Sequence, residues 1–194
     1  MENAHEAIGI IAGVLALAGY VPYIISILRN KTQPNRATWL IWTIVGGLLA
    51  VSFFAEGDPK AIWLPIGYFI GPLLVAILSI RYGYATWTRI DTLCLSAALI
   101  SIIPWVLSKD ATVTLLINVL IDAAGAIPTL IKTYREPETE DFSAWLIFFI
   151  ANTLQLFAMT QWNIAATYPI YLFFLAGAMV LFTVKGKMFP GPQP

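Results

Sequence analysis

One cysteine, one histidine and few charges set the first limits on this chain of 194 residues. Cys94 has no second cysteine to pair with, so an intrachain disulfide and a multi-cysteine metal site are both excluded. His5, the single histidine, lies in the polar N-terminal stretch MENAHEA. Its place there removes histidine-clustered metal sites and a Ser-His-Asp triad within the apolar part of the chain. No metal, no cofactor and no dense set of catalytic groups is expected, so the chain does not read as an enzyme. Charge is equally scarce: Lys and Arg number 11, Asp and Glu 11, against 59% hydrophobic residues and a mean hydropathy of +0.77. A soluble protein of this composition would lack the polar side chains to cover its surface. The formal net charge is zero and the basic residues sit in short groups between apolar runs, so a phosphate-binding stripe and a nucleic-acid partner are set aside.

What is present in abundance is apolar sequence of membrane-spanning length. Runs of about 17 to 25 apolar residues between charged or turn-forming clusters predict seven helices, near 7–28, 37–55, 61–80, 90–108, 111–132, 142–160 and 164–184. AIGIIAGVLALAG and LIFFIANTLQLFAM stay apolar through several turns, whereas barrel strands would alternate every second residue. The expectation is an all-α integral membrane protein with the lipid bilayer as its partner. MENAHEA carries acidic residues where a signal peptide carries Lys or Arg, so the first helix is expected to be retained. Arg29, Lys31, Arg36, Arg81, Arg89, Lys132, Arg135, Lys185 and Lys187 fall on one side, Lys60 and Lys109 on the other. That bias predicts an outer N-terminus and a cytoplasmic C-terminus, with the cell membrane as the expected location.

The chain also repeats itself. At a shift of 106 residues Gly19, Pro22, Ile25 and Arg29 match Gly125, Pro128, Ile131 and Arg135, and Trp39-Leu40-Ile41 matches Trp145-Leu146-Ile147. At a shift of 104, Pro65, Ile66 and Phe69 match Pro169, Ile170 and Phe173. Internal duplication accounts for both. An odd-numbered unit would emerge inverted if the copies were joined directly, so the unmatched fourth helix returns the chain to the outer face. The predicted architecture is two parallel triple-helix bundles joined by an inversion helix (3+1+3): residues 1–84, a linker 85–110, residues 111–187 and a tail 188–194.

The 3+1+3 pattern, the outer N-terminus and the paired G-Y-V-P-Y and G-A-I-P-T segments ahead of basic loops and Trp-Leu-Ile resemble the PQ-loop and SWEET superfamily. The family's Pro-Gln is replaced here by Pro22-Tyr23 and Pro128-Thr129. The resemblance implies a transporter of a small polar solute such as a sugar or an amino acid, moved by alternating access. A seven-helix receptor or sorting protein of the same fold is the alternative, and a homo-oligomer is compatible with either.

The residues themselves suggest where such a solute would bind. A helix proline removes a backbone donor and frees the carbonyl four residues earlier, so Pro22 and Pro128, with Tyr23 and Thr129 beside them, are candidate hinges of a gate. The second half is polar where the first is small or apolar: Asn118, Asp122, Asn152 and Gln155 answer Ala12, Ala16, Gly46 and Leu49. Asn118, Asp122, Gly125 and Thr129 share one helix face, and Trp145, Phe148, Asn152 and Gln155 share another. Such faces are costly against lipid and are expected to line a watery path. Trp42 and Trp145 are the candidate stacking surfaces, with Asn118, Asn152 and Gln155 as hydrogen-bonding groups. Trp39, Trp63, Trp87, Trp105 and Trp162 read as interface anchors. Asp122 is the one acidic residue near a helix midpoint. It either carries a proton or cation during transport or stays protonated as interhelical glue.

Overall fold

A computed structural model of the chain describes residues 2–56, 63–108 and 110–188. Lys60, Lys109 and residues 189–194, which include nearly all of the expected tail, lie outside them. Among the described residues the fold is all-helical, with α1 (Glu2–Leu28), α2 (Arg36–Glu56), α3 (Trp63–Tyr82), α4 (Arg89–Leu107), α5 (Ala111–Arg135), α6 (Phe142–Ala158) and α7 (Thr167–Met188). Short 3₁₀ turns occupy Pro137–Thr139 and Ile164–Ala166. Ala4–Leu28, Arg89–Leu107, Thr112–Arg135 and Thr167–Lys185 are long and apolar enough to cross a membrane, and Arg36–Val51, Tyr68–Tyr82 and Phe142–Ala158 are shorter apolar helices.

The helix ends follow from local chemistry. α1 starts ahead of its apolar run because ENAHEA holds good helix formers and no breaker. It stops where Asn30 turns left-handed (φ 57°), a conformation Asn tolerates. Lys31 N–H then reaches Ser26 O at 3.0 Å and Asn30 N–H reaches Ile27 O at 2.9 Å, the paired bonds of a Schellman end. Asn35 Oδ1 accepts from Thr38 N–H at 3.0 Å to start α2, and Asp141 Oδ1 accepts from Ala144 N–H at 2.8 Å to start α6. The two caps sit 106 residues apart. At α4, Thr88 and Asp91 form a capping box, and the buried Asp91 also accepts from Asn35 Nδ2 at 2.8 Å.

The chain divides into two compact units, Met1–Thr32 with Leu130–Pro194, and Gln33–Thr129. In the first, α1 packs along α6, and α6 along α7. In the second, α2 packs on α3 and α4. The spatial grouping therefore crosses the boundary between the sequence repeats: the first unit joins the opening helix of one copy to the later helices of the other. α4 shows why lipid suits this chain. Its buried stripe is Asp91, Cys94 and Ala98, while Leu93, Leu99, Ile100, Ile103, Val106 and Leu107 are exposed aliphatics that water would not solvate favourably.

Close helix approaches rest on glycine. A Cβ at Gly46 of α2 would stand 2.6 Å from Tyr68 O and 2.8 Å from Phe69 Cα, so α3 packs backbone to backbone there. In the first unit a Cβ at Gly19 of α1 would stand 2.7 Å from the Phe148 ring of α6. In the second, a Cβ at Gly125 of α5 would stand 2.7 Å from Ile41 Cγ2 and 3.3 Å from the Trp42 ring of α2.

Candidate functional site

The first unit contains a buried charge cluster. α5 ends at Arg135 because Glu136 precedes Pro137, whose ring disfavours helical geometry in its neighbour; Glu136 sits at φ −133°, ψ 66°. The following turn is pinned by Thr139 Oγ1 donating to Glu136 O at 2.7 Å, and it folds Glu140 back toward α5. Lys132 Nζ lies 2.6 Å from Glu140 Oε1, with the two side chains 2% and 0% exposed. The other carboxylate oxygen accepts from Tyr23 Oη of α1 and from Trp145 Nε1 of α6, each at 2.9 Å. The Tyr23 and Trp145 rings meet edge to face, 6.3 Å apart. Removing two charges from water is expensive, and this geometry offsets the cost by giving both carboxylate oxygens charge-assisted donors. One carboxylate thus ties together parts of α1, α5 and α6.

At the position that answers Tyr23 the second unit holds neutral chemistry. Thr129, the counterpart of Tyr23, donates through Oγ1 to Thr38 Oγ1 at 2.9 Å, and both are buried. Trp39 and Trp42 meet edge to face at 4.9 Å, and Trp42 Nε1 donates to the backbone carbonyl of Asp122 at 3.2 Å. Asn118, one turn before Asp122 on the same face, is buried, and its Oδ1 has no hydrogen-bond partner among the described residues. A buried acceptor left in that state costs about 1–3 kcal/mol. It is suited to a donor brought by a solute or by water.

The candidate residues therefore fall into two groups. Pro22, Tyr23, Trp145, Asn152 and Gln155 belong to the first unit, and Trp42, Asn118, Asp122, Pro128 and Thr129 to the second. The structure brings Tyr23 to Trp145 and Trp42 to Asp122. Asn152 Nδ2 donates to Phe148 O of its own helix at 2.8 Å, and Gln155 is half-buried. Trp87 and Trp162 are exposed, as anchors would be, but Trp39 is 1% exposed and belongs to the core beside Trp42. Lys132, grouped by sequence with the orienting charges, is an interior residue.

Glu140 is the residue that sequence reasoning missed. It reads as part of an acidic run, Glu136 to Asp141, favourable to the start of α6, and only Asp141 has that role as the cap. A signal was present: at the 106-residue shift Lys132 answers Ser26 and Glu140 answers Pro34, so both charges appear in one copy, flanking one turn. Comparison of the chain with protein-family models, with curated proteins and with solved structures returned no match.

Proposed function

We propose that the chain is a multi-pass membrane transporter, related in architecture to the PQ-loop and SWEET proteins, that moves a small polar solute by alternating access. In this reading two triple-helix repeats joined by α4 (3+1+3) span the cell membrane with the N-terminus outside and the C-terminus in the cytoplasm. The observation that carries it is the recurrence of one steric device beside Pro22 and Pro128, the two prolines that match at the 106-residue shift. Gly19 receives the Phe148 ring three residues before Pro22, and Gly125 receives Ile41 and Trp42 three residues before Pro128. Duplicated crossings beside duplicated prolines are what a symmetric gating machine requires. In the second unit the candidate solute contacts are Asn118 for hydrogen bonding and Trp42 for apolar surface, and in the first they are Asn152, Gln155 and Trp145. The buried acceptor Asn118 Oδ1 supports this assignment.

Asp122 in this scheme carries a proton whose uptake and release accompany solute movement, because its hydration changes with the side to which the site is open. The test is uptake and exchange in proteoliposomes across a panel of sugars, amino acids and vitamins pre-screened by thermal stabilisation. Exchange of at least one solute is expected, and none across the panel would remove the transport reading. Asp122→Asn should keep exchange but lose accumulation driven by an imposed pH gradient, since an amide hydrogen-bonds without cycling a proton. Undiminished accumulation in that variant would make Asp122 structural.

A further inference from the structure

Pro22 and Pro128 are each followed within about one turn by a side chain that holds the same carboxylate. Tyr23 directly follows Pro22, and Lys132 lies four residues beyond Pro128. Tyr23 donates to one oxygen of Glu140 and Lys132 pairs with the other, while Trp145 holds the carboxylate from α6. The prolines free the carbonyls of Ala18 and Ala124, so the segments beyond them are the parts of α1 and α5 best able to swing.

We propose that Glu140 is the latch of a gate: in the closed state it clamps the post-proline segments of α1 and α5 to the start of α6, and the gate opens when Tyr23 and Lys132 leave it. The proposal rests on the transport reading only for what passes through the opening. Three observations favour a latch over a passive brace. A buried ion pair lies near balance against hydration, because Lys132 and Glu140 recover water when separated, so the closure is reversible in a way an apolar plug is not. Exposed Arg29 and Lys31 after α1, Arg135 ending α5 and Lys185 in α7 form a solvated basic end of this unit, toward which the freed carboxylate can turn. Finally, the positions answering Tyr23, Lys132 and Glu140 at the 106-residue shift are Thr129, Ser26 and Pro34, all uncharged, so the charged latch belongs to one copy alone.

The test reads opening directly, without a transported solute. Ala144→Cys places a thiol at a fully buried position next to Trp145, and native Cys94, buried in the other unit, is the internal control. Both thiols are followed by peptide mass spectrometry during N-ethylmaleimide labelling of the full chain in lipid vesicles. Tyr23→Phe keeps the ring against Trp145 but loses one hydrogen bond to a charged group, and should raise labelling at position 144 about tenfold. Glu140→Gln should raise it further where the variant folds, with Cys94 labelling unchanged in both. An unchanged rate at position 144 in Tyr23→Phe would overturn the latch, as would a parallel rise at Cys94, which signals general loosening. Solute exchange is measured in the same vesicles. A labelling contrast without exchange would leave the latch standing and remove the transport reading.

Discussion

At the α1–α6 crossing Gly19 admits the Phe148 ring, and at the α5–α2 crossing, 106 residues along in both helices, Gly125 admits Ile41 and Trp42. The helix that follows each crossing is capped at matched positions, by Asn35 and by Asp141. Polar chemistry, by contrast, has diverged. One unit closes its crossing with a buried Lys132–Glu140 pair bonded to Tyr23 and Trp145, the other with two threonine hydroxyls. The comparison separates what two matched helix crossings share from what differs between them. Steric register and backbone caps determine whether the helices meet at all, so they persist. Side-chain polarity is replaceable wherever the new partners arrive together, as Lys132 and Glu140 do around a single turn.

The contrast should appear most strongly in the polar ties. Lys132→Met strands a buried carboxylate and is expected to destabilise the protein by about 3–5 kcal/mol, against about 1 kcal/mol for Thr129→Val. Reversible unfolding in detergent would measure both, and equal losses would erase the distinction between charged and neutral crossings. The shared sterics come next. Gly19→Ala and Gly125→Ala should each cost about 1–3 kcal/mol, because a ring or a branched side chain must move to admit the methyl. A tolerated alanine at one site alone, measured in the same assay, would mean that the crossings are not equivalent. The caps should differ least. Asp141→Ala is expected to cost about 1 kcal/mol, and Asn35→Ala nearer 2 kcal/mol because Asn35 also donates to the buried Asp91.

Much of the fold was legible because membrane helices announce themselves by composition. Among the described residues the seven α-helices lie where the apolar runs predicted them, with most ends moved by a few residues. Asp141 as a cap could be read from its place before an apolar run. The grouping of helices could not, since nothing in a repeat says whether its first helix packs on its own copy or on the other. Glu140 and Trp39 escaped for a related reason. A glutamate in an acidic run and a tryptophan near a helix end both have ordinary surface explanations, and the buried positions they occupy are created by partners far away in the chain, Tyr23 in one case and the α5–α2 crossing in the other.

The packing of α1 on α6 has a consequence for biosynthesis. The hydrogen bond from Tyr23 to Glu140 spans 117 residues, so α1 leaves the ribosome well before the helix it packs along, α6, is made. At typical synthesis rates of about 5–20 residues per second, that interval is on the order of ten seconds. Throughout it the small-residue face of α1 and the Tyr23 hydroxyl stand open to whatever surrounds them. Lipid, or an insertion factor able to hold one helix in reserve, has to occupy that face until α6 arrives, which makes the nascent chain more dependent on assistance than the finished protein.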